Sequence, residues 1–507
     1  MRARTLLSGI FIFIGVLIFS ISLFIKEKYS NSIDEMIYYL YNGLQGTSTA
    51  VYIMAINEIS ILFLCLLFTL LAPILLRKKY SVQIVYKRSQ VKIISTAAIK
   101  KYNLLYSSVL LLISIVAGVS MTGLVDYIKR LNQYSDFIEK NIASAHEVNL
   151  TFPVQKRNLI ILYVESLENS LIHSSHGGGT GYTVMPEIES LALNHLNFSN
   201  SDKIGGAVPI SGTEWTVAAM VASTTGLPLK IPLDGNQYTS TNQFMAGAYA
   251  LGDVLKENGY QLSLMVGSDV NFGGRGSYYR THGDYNIIDV NTAIQEQRMK
   301  EQDRSNWGFD DSFLFKWAKE HIIDLADGGQ PFSFSFLTVN THFPDGHLEK
   351  HAERIFESQY ENVHAHTSKQ VADFVGWLQE QDFYQNTTLV ILGDHLSMQD
   401  PEFFRSRTYE GYNRTIFNTF INSATTPINA KNRTFTTLDM YPTILASMGV
   451  GIDGERLGLG TNLFSNKSTL VEEYGANIVQ RELVKNSSYY NRRILRDDYL
   501  ELLKRSE

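Results

Sequence analysis

Cysteine is all but missing from this chain. Cys65 is the only one among 507 residues, so no intramolecular disulfide can form and the fold has to be stable without one. Cysteine pairing therefore says nothing about the redox compartment. A dominant charge is missing too: the formal net charge of -6 at pH 7 makes no global case for nucleic-acid binding. Internal repeats and low-complexity tracts are absent, which leaves out solenoids and long disordered arms. With 45% hydrophobic residues over a length too great for one ordinary domain, the chain has material for a large core and for two parts or more.

Three apolar runs make up the first part. Residues 5–25 are long enough to cross hydrocarbon and lack the short apolar core and small-residue cleavage site of a signal peptide, which predicts an uncleaved membrane helix. Residues 59–76, with Pro73 near the end, and 104–125 predict a second and a third. Between these two lie Arg77, Lys78, Lys79, Lys87, Arg88, Lys92, Lys100 and Lys101 with no acid among them, so this loop is expected on the cytoplasmic side. Three spans then put the N-terminus, with Arg2 and Arg4, inside and everything after Val125 outside. Removing those eight cations leaves -14 for the remainder, as an external soluble domain can carry. Lys26 and Lys28 on the outer side run mildly against this topology. Residues 31–57 carry Ile33, Met36, Ile37, Leu40 and Tyr41 at near-helical spacing, interrupted by Gly43 and Gly46. They are expected in the outer membrane interface or packed against the spans. Residues 126–157 read as a helical connector, and 158–507 as the extracytoplasmic catalytic domain.

From Asn158 the pattern changes. Leu159 to Val164, Gln261 to Val266, Pro331 to Val339 and Thr387 to Leu392 are apolar runs of buried-strand type. Helical patterns lie between them, near 253–258, 310–321 and at Val371, Phe374, Val375 and Leu378. This alternation predicts an α/β domain with a largely parallel central sheet. In such sheets the polar residues just past the strands' carboxyl ends form the site. Here those residues are Glu165 to Glu168, Asn340 to Pro344, and Asp394 with His395. An adjacent Asp-His pair can give a carboxylate oxygen and an imidazole nitrogen to one divalent cation, and Glu165 can add a third ligand. Each has a plainer reading alone: Glu165 as a helix cap, Asp394 as a turn residue, His395 as a hydrogen-bonded core histidine.

The stretch Ile210-Ser211-Gly212-Thr213-Glu214-Trp215-Thr216 precedes another apolar run. Ser211 and Glu214 have capping-box spacing and Val217, Met220 and Val221 fall on one helical face, which predicts a helix starting at Ser211 with Thr213 in its first turn. Backbone N–H groups and the helix dipole favour an anion there. Thr213 is thus a candidate nucleophile, although by itself it reads more readily as a polar first-turn residue. Together with the three ligand candidates it suggests a metal-activated hydroxyl acting on a phosphoryl group.

These residues resemble the phosphoglycerol transferase I and lipoteichoic acid synthase group, membrane members of the alkaline phosphatase and sulfatase superfamily. The resemblance rests on Val164 to Glu168, Ser211 to Thr216, Gly267 to Gly283, Asn306 to Phe309, Thr341 to Gly346 and Asp394 to Met398. Three spans and residues 33–47 bring the chain nearer to phosphoglycerol transferase I than to the synthase. The resemblance implies an alkaline-phosphatase-like α/β domain behind the membrane helices and Thr213 as nucleophile. It implies Glu165, Asp394, His395 and the Thr213 oxygen as ligands of one divalent ion, manganese first with magnesium or zinc as alternatives. Arg275 and His342 match positions that hold the donor's phosphate and glycerol; alone they would read as a loop cation and a backbone-bonded histidine. The synthase carries an aromatic residue where this chain has Gly273 and Gly274. The implied reaction moves glycerophosphate from phosphatidylglycerol to a periplasmic glucan at a bacterial inner membrane and releases diacylglycerol. Glycerophosphate polymerisation, phosphoethanolamine transfer, hydrolysis or a tethered glycan-binding protein with a dead site are the alternatives. A sulfatase activity would need a Cys/Ser-x-Pro-x-Arg motif, and Ser211 is followed by Gly-Thr-Glu-Trp instead.

Overall fold

The computed structural model describes residues 2–29, 33–42, 45–75, 80–86, 89–230, 243–305 and 307–495. Asn31, Gly43, Arg77 to Lys79, Lys87, Arg88 and Asn306, all used above, lie outside them. The chain divides into two compact units, residues 1–36 with 49–129, and residues 37–48 with 130–507.

In the first unit, Arg2–Tyr29, Thr49–Leu75 and Asn103–Met121 are helices. Each is long and apolar enough to cross a membrane, over Ala3–Lys28, Val51–Leu75 and Asn103–Met121. The third span closes at Met121, four residues before the expected end, and Gly123 then turns the chain at φ +69°. Small residues let the first and third helices approach closely. A Cβ on Gly15 would lie 3.2 Å from Ser114 Oγ, and one on Gly118 2.7 Å from Ser22 Oγ. Leu6, Ile61 and Phe68 leave about two thirds of their surface uncovered, an outward apolar face that suits lipid rather than water. A short antiparallel hairpin, Ser81–Tyr86 with Ser89–Ser95, lies in the loop between the second and third helices.

The second unit is built on a six-stranded sheet. Its strands are β1 (Asn158–Val164), β2 (Gln261–Val266), β3 (Asn286–Ile288), β4 (Phe332–Leu337), β5 (Thr387–Gly393) and β6 (Asn418–Ile421), in the order β3-β2-β4-β1-β5-β6. All pairs are parallel except β5 with β6. β1 and β5 are buried along their whole length, which is why they read as continuous apolar runs rather than alternating ones. Successive β1 side chains point to opposite faces. Leu159, Ile161 and Tyr163 join a core with Val217, Met220 and Ile444; Ile160, Leu162 and Val164 join a second with Leu314, Phe374 and Ile188. Each fully buried Leu or Ile contributes about 2 kcal/mol of transfer free energy. Residues 126–157, expected as a helical connector, hold two short helices, Leu124–Leu131 and Phe137–Asn141, and then extended chain with Leu150–Thr151 paired to Gly451–Ile452.

The register decides what the sheet presents. Val164 of β1 pairs with Gly393 of β5, so the next residues, Glu165 and Asp394, leave adjacent strand ends side by side. Gly393 has no room for a side chain, since a Cβ there would sit 1.8 Å from Leu167 O. Gly376, inside the helix Gln359–Gln379, faces open space. Gly393→Ala should therefore lower the thermal midpoint of the detergent-solubilised protein by about 5 °C or more, whereas Gly376→Ala should leave it unchanged or raise it slightly. Differential scanning of the two variants beside wild type checks this.

Candidate active site

Glu165, the first residue after β1, is buried, and its N–H donates to Thr338 Oγ1 at the end of β4 (3.0 Å). Its neighbour Ser166 turns at φ +56° and sends its N–H to Asp394 Oδ1 (2.7 Å) and its hydroxyl to Glu165 Oε1 (2.8 Å). Past β5, the His395 N–H also donates to Asp394 Oδ1 (2.8 Å). His395 Nδ1 lies 2.8 Å from the Leu396 carbonyl. A carbonyl only accepts, so Nδ1 carries hydrogen and Nε2 is turned toward the carboxylates.

His395 Nε2 is 3.4 Å from Glu165 Oε1 and 3.3 Å from Asp394 Oδ2. These separations exceed the roughly 2.7–2.9 Å of a charge-assisted hydrogen bond. They match the edge of about 3.3 Å of a ligand tetrahedron with bonds of about 2.0–2.1 Å. Asp394 Oδ2 is buried without a hydrogen-bond partner, and all three donor atoms lie within 4.8 Å of one another. The donor set thus fits a divalent cation. Electrostatics lean the same way. Burial opposes ionisation of Glu165, but His342 and His395 outweigh it and hold the carboxyl well below its usual range. Burial and the Glu165 charge push Asp394 up. Burial disfavours the charged His395, yet Asp394 and Glu165 override it and push the imidazole up to about 10.

The candidate nucleophile turn differs from the sequence expectation. The helix begins at Thr216 and runs to Thr225, with Trp215 at its N-cap position, so Ser211 caps nothing. Gly212 is the reason: its φ of +82° is not helical, its carbonyl accepts from Leu229 N (2.8 Å), and a Cβ on it would meet Pro228 at 2.7 Å. Thr213 is fully buried in the turn before the helix, where its hydroxyl donates to Ile210 O (2.8 Å). Of the two threonines, Thr216 is the one whose hydroxyl touches the ligand cluster, 3.2 Å from Glu165 Oε2 and 3.4 Å from His395 Nε2. Only Glu214 and Trp215 separate these threonines in sequence, and spacing alone could not choose between them.

A family model described as Sulfatase matches residues 157–450. The chain belongs to the sulfatase family. It is 26% identical over 409 residues to phosphoglycerol transferase I of Citrobacter koseri, covering 77% of this chain and 48% of that protein. The identity to phosphoglycerol transferase I of Escherichia coli is 26% over 404 residues, with the same coverage. The chain spans about half the length of the curated relatives it matches. Among solved structures, the lipoteichoic acid synthase LtaP of Listeria monocytogenes aligns at 18% identity, covering 65% of this chain and 80% of that one, with a TM-score of 0.49. The Streptococcus pyogenes phosphoglycerol transferase GacH in complex with sn-glycerol-1-phosphate aligns at 17%, covering 75% and 94%, with a TM-score of 0.44.

Around this sulfatase-family centre stand Arg275 and His342. Arg275 is buried at the start of the helix Arg275–Thr281. Its Nη2 donates to Ser268 Oγ (2.8 Å) and Asp269 O (2.9 Å), while Nε is buried without a hydrogen-bond partner. His342 Nδ1 bonds to the Phe343 carbonyl (2.7 Å), and its ring lies 4.4 Å from that of Trp307. Burial lowers the His342 pKa, against the pull of Glu165; His395 and Arg275 are close enough to lower it further. Glu168 has a structural part: Arg414 and the Ser397 N–H (2.9 Å) hold it, which fastens the β1 exit to the β5 exit.

Residues 37–48, expected in the outer membrane interface or packed against the spans, group with the α/β unit instead. Tyr38 is fully buried and donates its hydroxyl to Gly273 O (2.7 Å), with its ring 5.5 Å from Trp215. Tyr39 stacks on Phe272 at 4.8 Å. A Cβ on Gly273 would meet Val217 at 2.7 Å and Tyr39 at 3.2 Å. Tyr39 and Phe272 thus border Gly273, and Trp307 packs on Phe272 at 5.2 Å. The adjacent tyrosines were visible in the sequence, but nothing local said what they would pack on.

The loop that carries His342 is held by Asp311, whose carboxylate accepts from Val339 N (2.8 Å) and Asn340 N (3.2 Å). Burial pushes this carboxyl up to about 7, against the lowering effect of those two N–H groups. Between about pH 4 and 7 the folded state therefore binds the proton that the unfolded chain has released, and stability falls as pH rises. Above about 7 this contribution is flat. Urea unfolding across pH should show wild type losing stability relative to Asp311→Asn between about pH 4 and 7, with no further divergence above.

Proposed function

We propose that this chain is a membrane-bound phosphoglycerol transferase that moves glycerophosphate from phosphatidylglycerol to a hydroxyl of a periplasmic or cell-envelope glycan. The buried Glu165–Asp394–His395 cluster, with Thr216 at its edge and Arg275 and His342 beside it, carries this reading. The similarity to phosphoglycerol transferase I over 77% of the chain supports it. The three apolar helices and the cationic loop support an inner-membrane enzyme with its N-terminus cytoplasmic and its catalytic unit outside.

In the first step Thr213 Oγ attacks phosphorus and the bond to diacylglycerol breaks. The diacylglycerol oxygen takes up a proton and a glycerophospho-threonine remains. In the second step an acceptor hydroxyl attacks the same phosphorus, and the Thr213 oxygen leaves and regains its proton. Rotation of the Thr213 hydroxyl away from Ile210 O is the movement this requires. A divalent cation held by Glu165, Asp394 and His395, manganese by resemblance or magnesium or zinc, would supply Lewis-acid activation and charge balance. Arg275, held through Nη2 by Ser268 and Asp269, keeps its unpartnered Nε for a phosphate oxygen. His342 stays neutral near pH 7 because burial lowers its pKa, so Nε2 can accept a glycerol or acceptor hydroxyl proton. Thr216 orients Glu165 and His395.

Diacylglycerol release from vesicles of phosphatidylglycerol, measured with manganese present, tests the proposal. Release is expected from phosphatidylglycerol and not from phosphatidylethanolamine. Thr213→Ala should fall at least about 1,000-fold and Thr216→Val about 10-fold. Release from phosphatidylethanolamine alone would turn the reading to phosphoethanolamine transfer, and a larger loss in Thr216→Val than in Thr213→Ala would reassign the nucleophile.

A further inference from the structure

Below the loop that carries His342 lies a second group of ligand-type side chains that the proposed chemistry does not use. Glu349 is buried. Its Oε1 accepts from three donors: Ser312 N (3.0 Å), Asn340 Nδ2 (2.8 Å) and Gln370 Nε2 (3.1 Å). With one oxygen so occupied, the carboxylate is fixed and the other oxygen is aimed. That oxygen, Oε2, is buried with no hydrogen-bond partner, and His366 Nε2 is likewise buried without one. His351 Nε2 stands 3.4 Å from Glu349 Oε2 and His366 Nε2 3.8 Å from it. The two imidazoles face each other edge to face at 5.3 Å, and the three donor atoms lie within 4.8 Å of one another.

Two simpler arrangements fail on these distances. A carboxylate bonded to an imidazolium would close to roughly 2.7–2.9 Å, and neither histidine does. Plain packing would not leave a buried carboxylate oxygen unmatched while its partner oxygen takes three donors. Two nitrogens and one oxygen at 3.4–3.8 Å are spaced as ligands sharing one ion, for which bonds of about 2.0–2.1 Å give an edge of about 3.3 Å. The Glu165–His395–Asp394 cluster shows a similar but slightly tighter spacing, 3.3–3.4 Å. Two imidazoles and a carboxylate are a donor set of zinc type, and the largely exposed His351 leaves the fourth position open to solvent.

We propose that Glu349, His351 and His366 form a second divalent-cation site, selective for zinc-like ions. Its place in the fold gives it a structural task. Asn340 donates to the anchoring carboxylate and lies two residues before His342, while His366 stands on the helix Gln359–Gln379. An ion here ties the exit of β4 to that helix and fixes the loop bearing His342. It does so whatever the donor lipid turns out to be.

The test is zinc titration of the chelator-stripped full-length protein in detergent against a chromogenic chelator, for wild type, His351→Ala and Asp394→Asn. His351 is mostly exposed, so its alanine variant should keep the wild-type thermal midpoint in the absence of metal. We expect His351→Ala to lose one tightly held zinc equivalent relative to wild type, and Asp394→Asn to keep that equivalent. Added zinc should raise the thermal midpoint of wild type by more than that of His351→Ala. Equal stoichiometry in wild type and His351→Ala, or loss of all tight zinc binding in Asp394→Asn, would overturn the proposal.

Discussion

Parallel pairing of Asn158–Val164 with Thr387–Gly393, in the register that sets Val164 against Gly393, brings Glu165 and Asp394 to one point at the carboxyl edge of the sheet. Both carboxylates are buried. Ionised groups taken out of water cost several kcal/mol each even after relaxation, and here two of them and an imidazole share one buried space. Hydrogen bonds to Asp394 Oδ1 from two N–H groups and to Glu165 Oε1 from Ser166 meet part of that cost. Glu165 Oε1, Asp394 Oδ2 and His395 Nε2 stay turned toward one another at distances suited to a common ion. A cation would convert mutual repulsion of the carboxylates into attraction. The strained turn at Ser166, the close contact at Gly393 and the Glu168–Arg414 pair all serve to hold that geometry.

Much of this could be seen in the chain before its structure. β1, β2, β4 and β5 are central and buried on both faces, so they stand out as largely apolar stretches that end where polar residues begin, although Ser263 interrupts β2 and Ser333 and Ser335 interrupt β4. The edge strands Asn286–Ile288 and Asn418–Ile421 did not stand out, because three or four residues carry no periodicity and edge positions demand less apolar character. Glu165, Asp394 and His395 were suggested by their place after strands, and parallel topology gathers such residues. The helix expected from Ser211 failed because a local capping pattern lost to Gly212, whose conformation and contacts with Pro228 and Leu229 are set by tertiary packing.

What the sequence could not show is long-range partnership. Tyr38 and Tyr39 are more than 230 residues from Gly273 and Phe272, yet they border the loop that leads into Arg275. A segment lying in sequence between two membrane-type helices thereby becomes part of the α/β unit. Glu349 and its histidines are similar in kind: each residue reads as ordinary polar surface, and only the fold reveals that one carboxylate oxygen is pinned by three donors and the other aimed.

Thr213 as the nucleophile is the point on which the proposed chemistry turns, since of the two threonines it is Thr216 that sets its hydroxyl against the ligand cluster. Intact-mass spectrometry of the full-length protein, incubated with head-group-labelled phosphatidylglycerol and manganese but no acceptor, addresses it directly. A labelled adduct of glycerophosphate mass, localised by peptide fragmentation to Thr213 and missing from Thr213→Ala, is the predicted result. An adduct on Thr216, or diacylglycerol release with no adduct on either threonine, would contradict it.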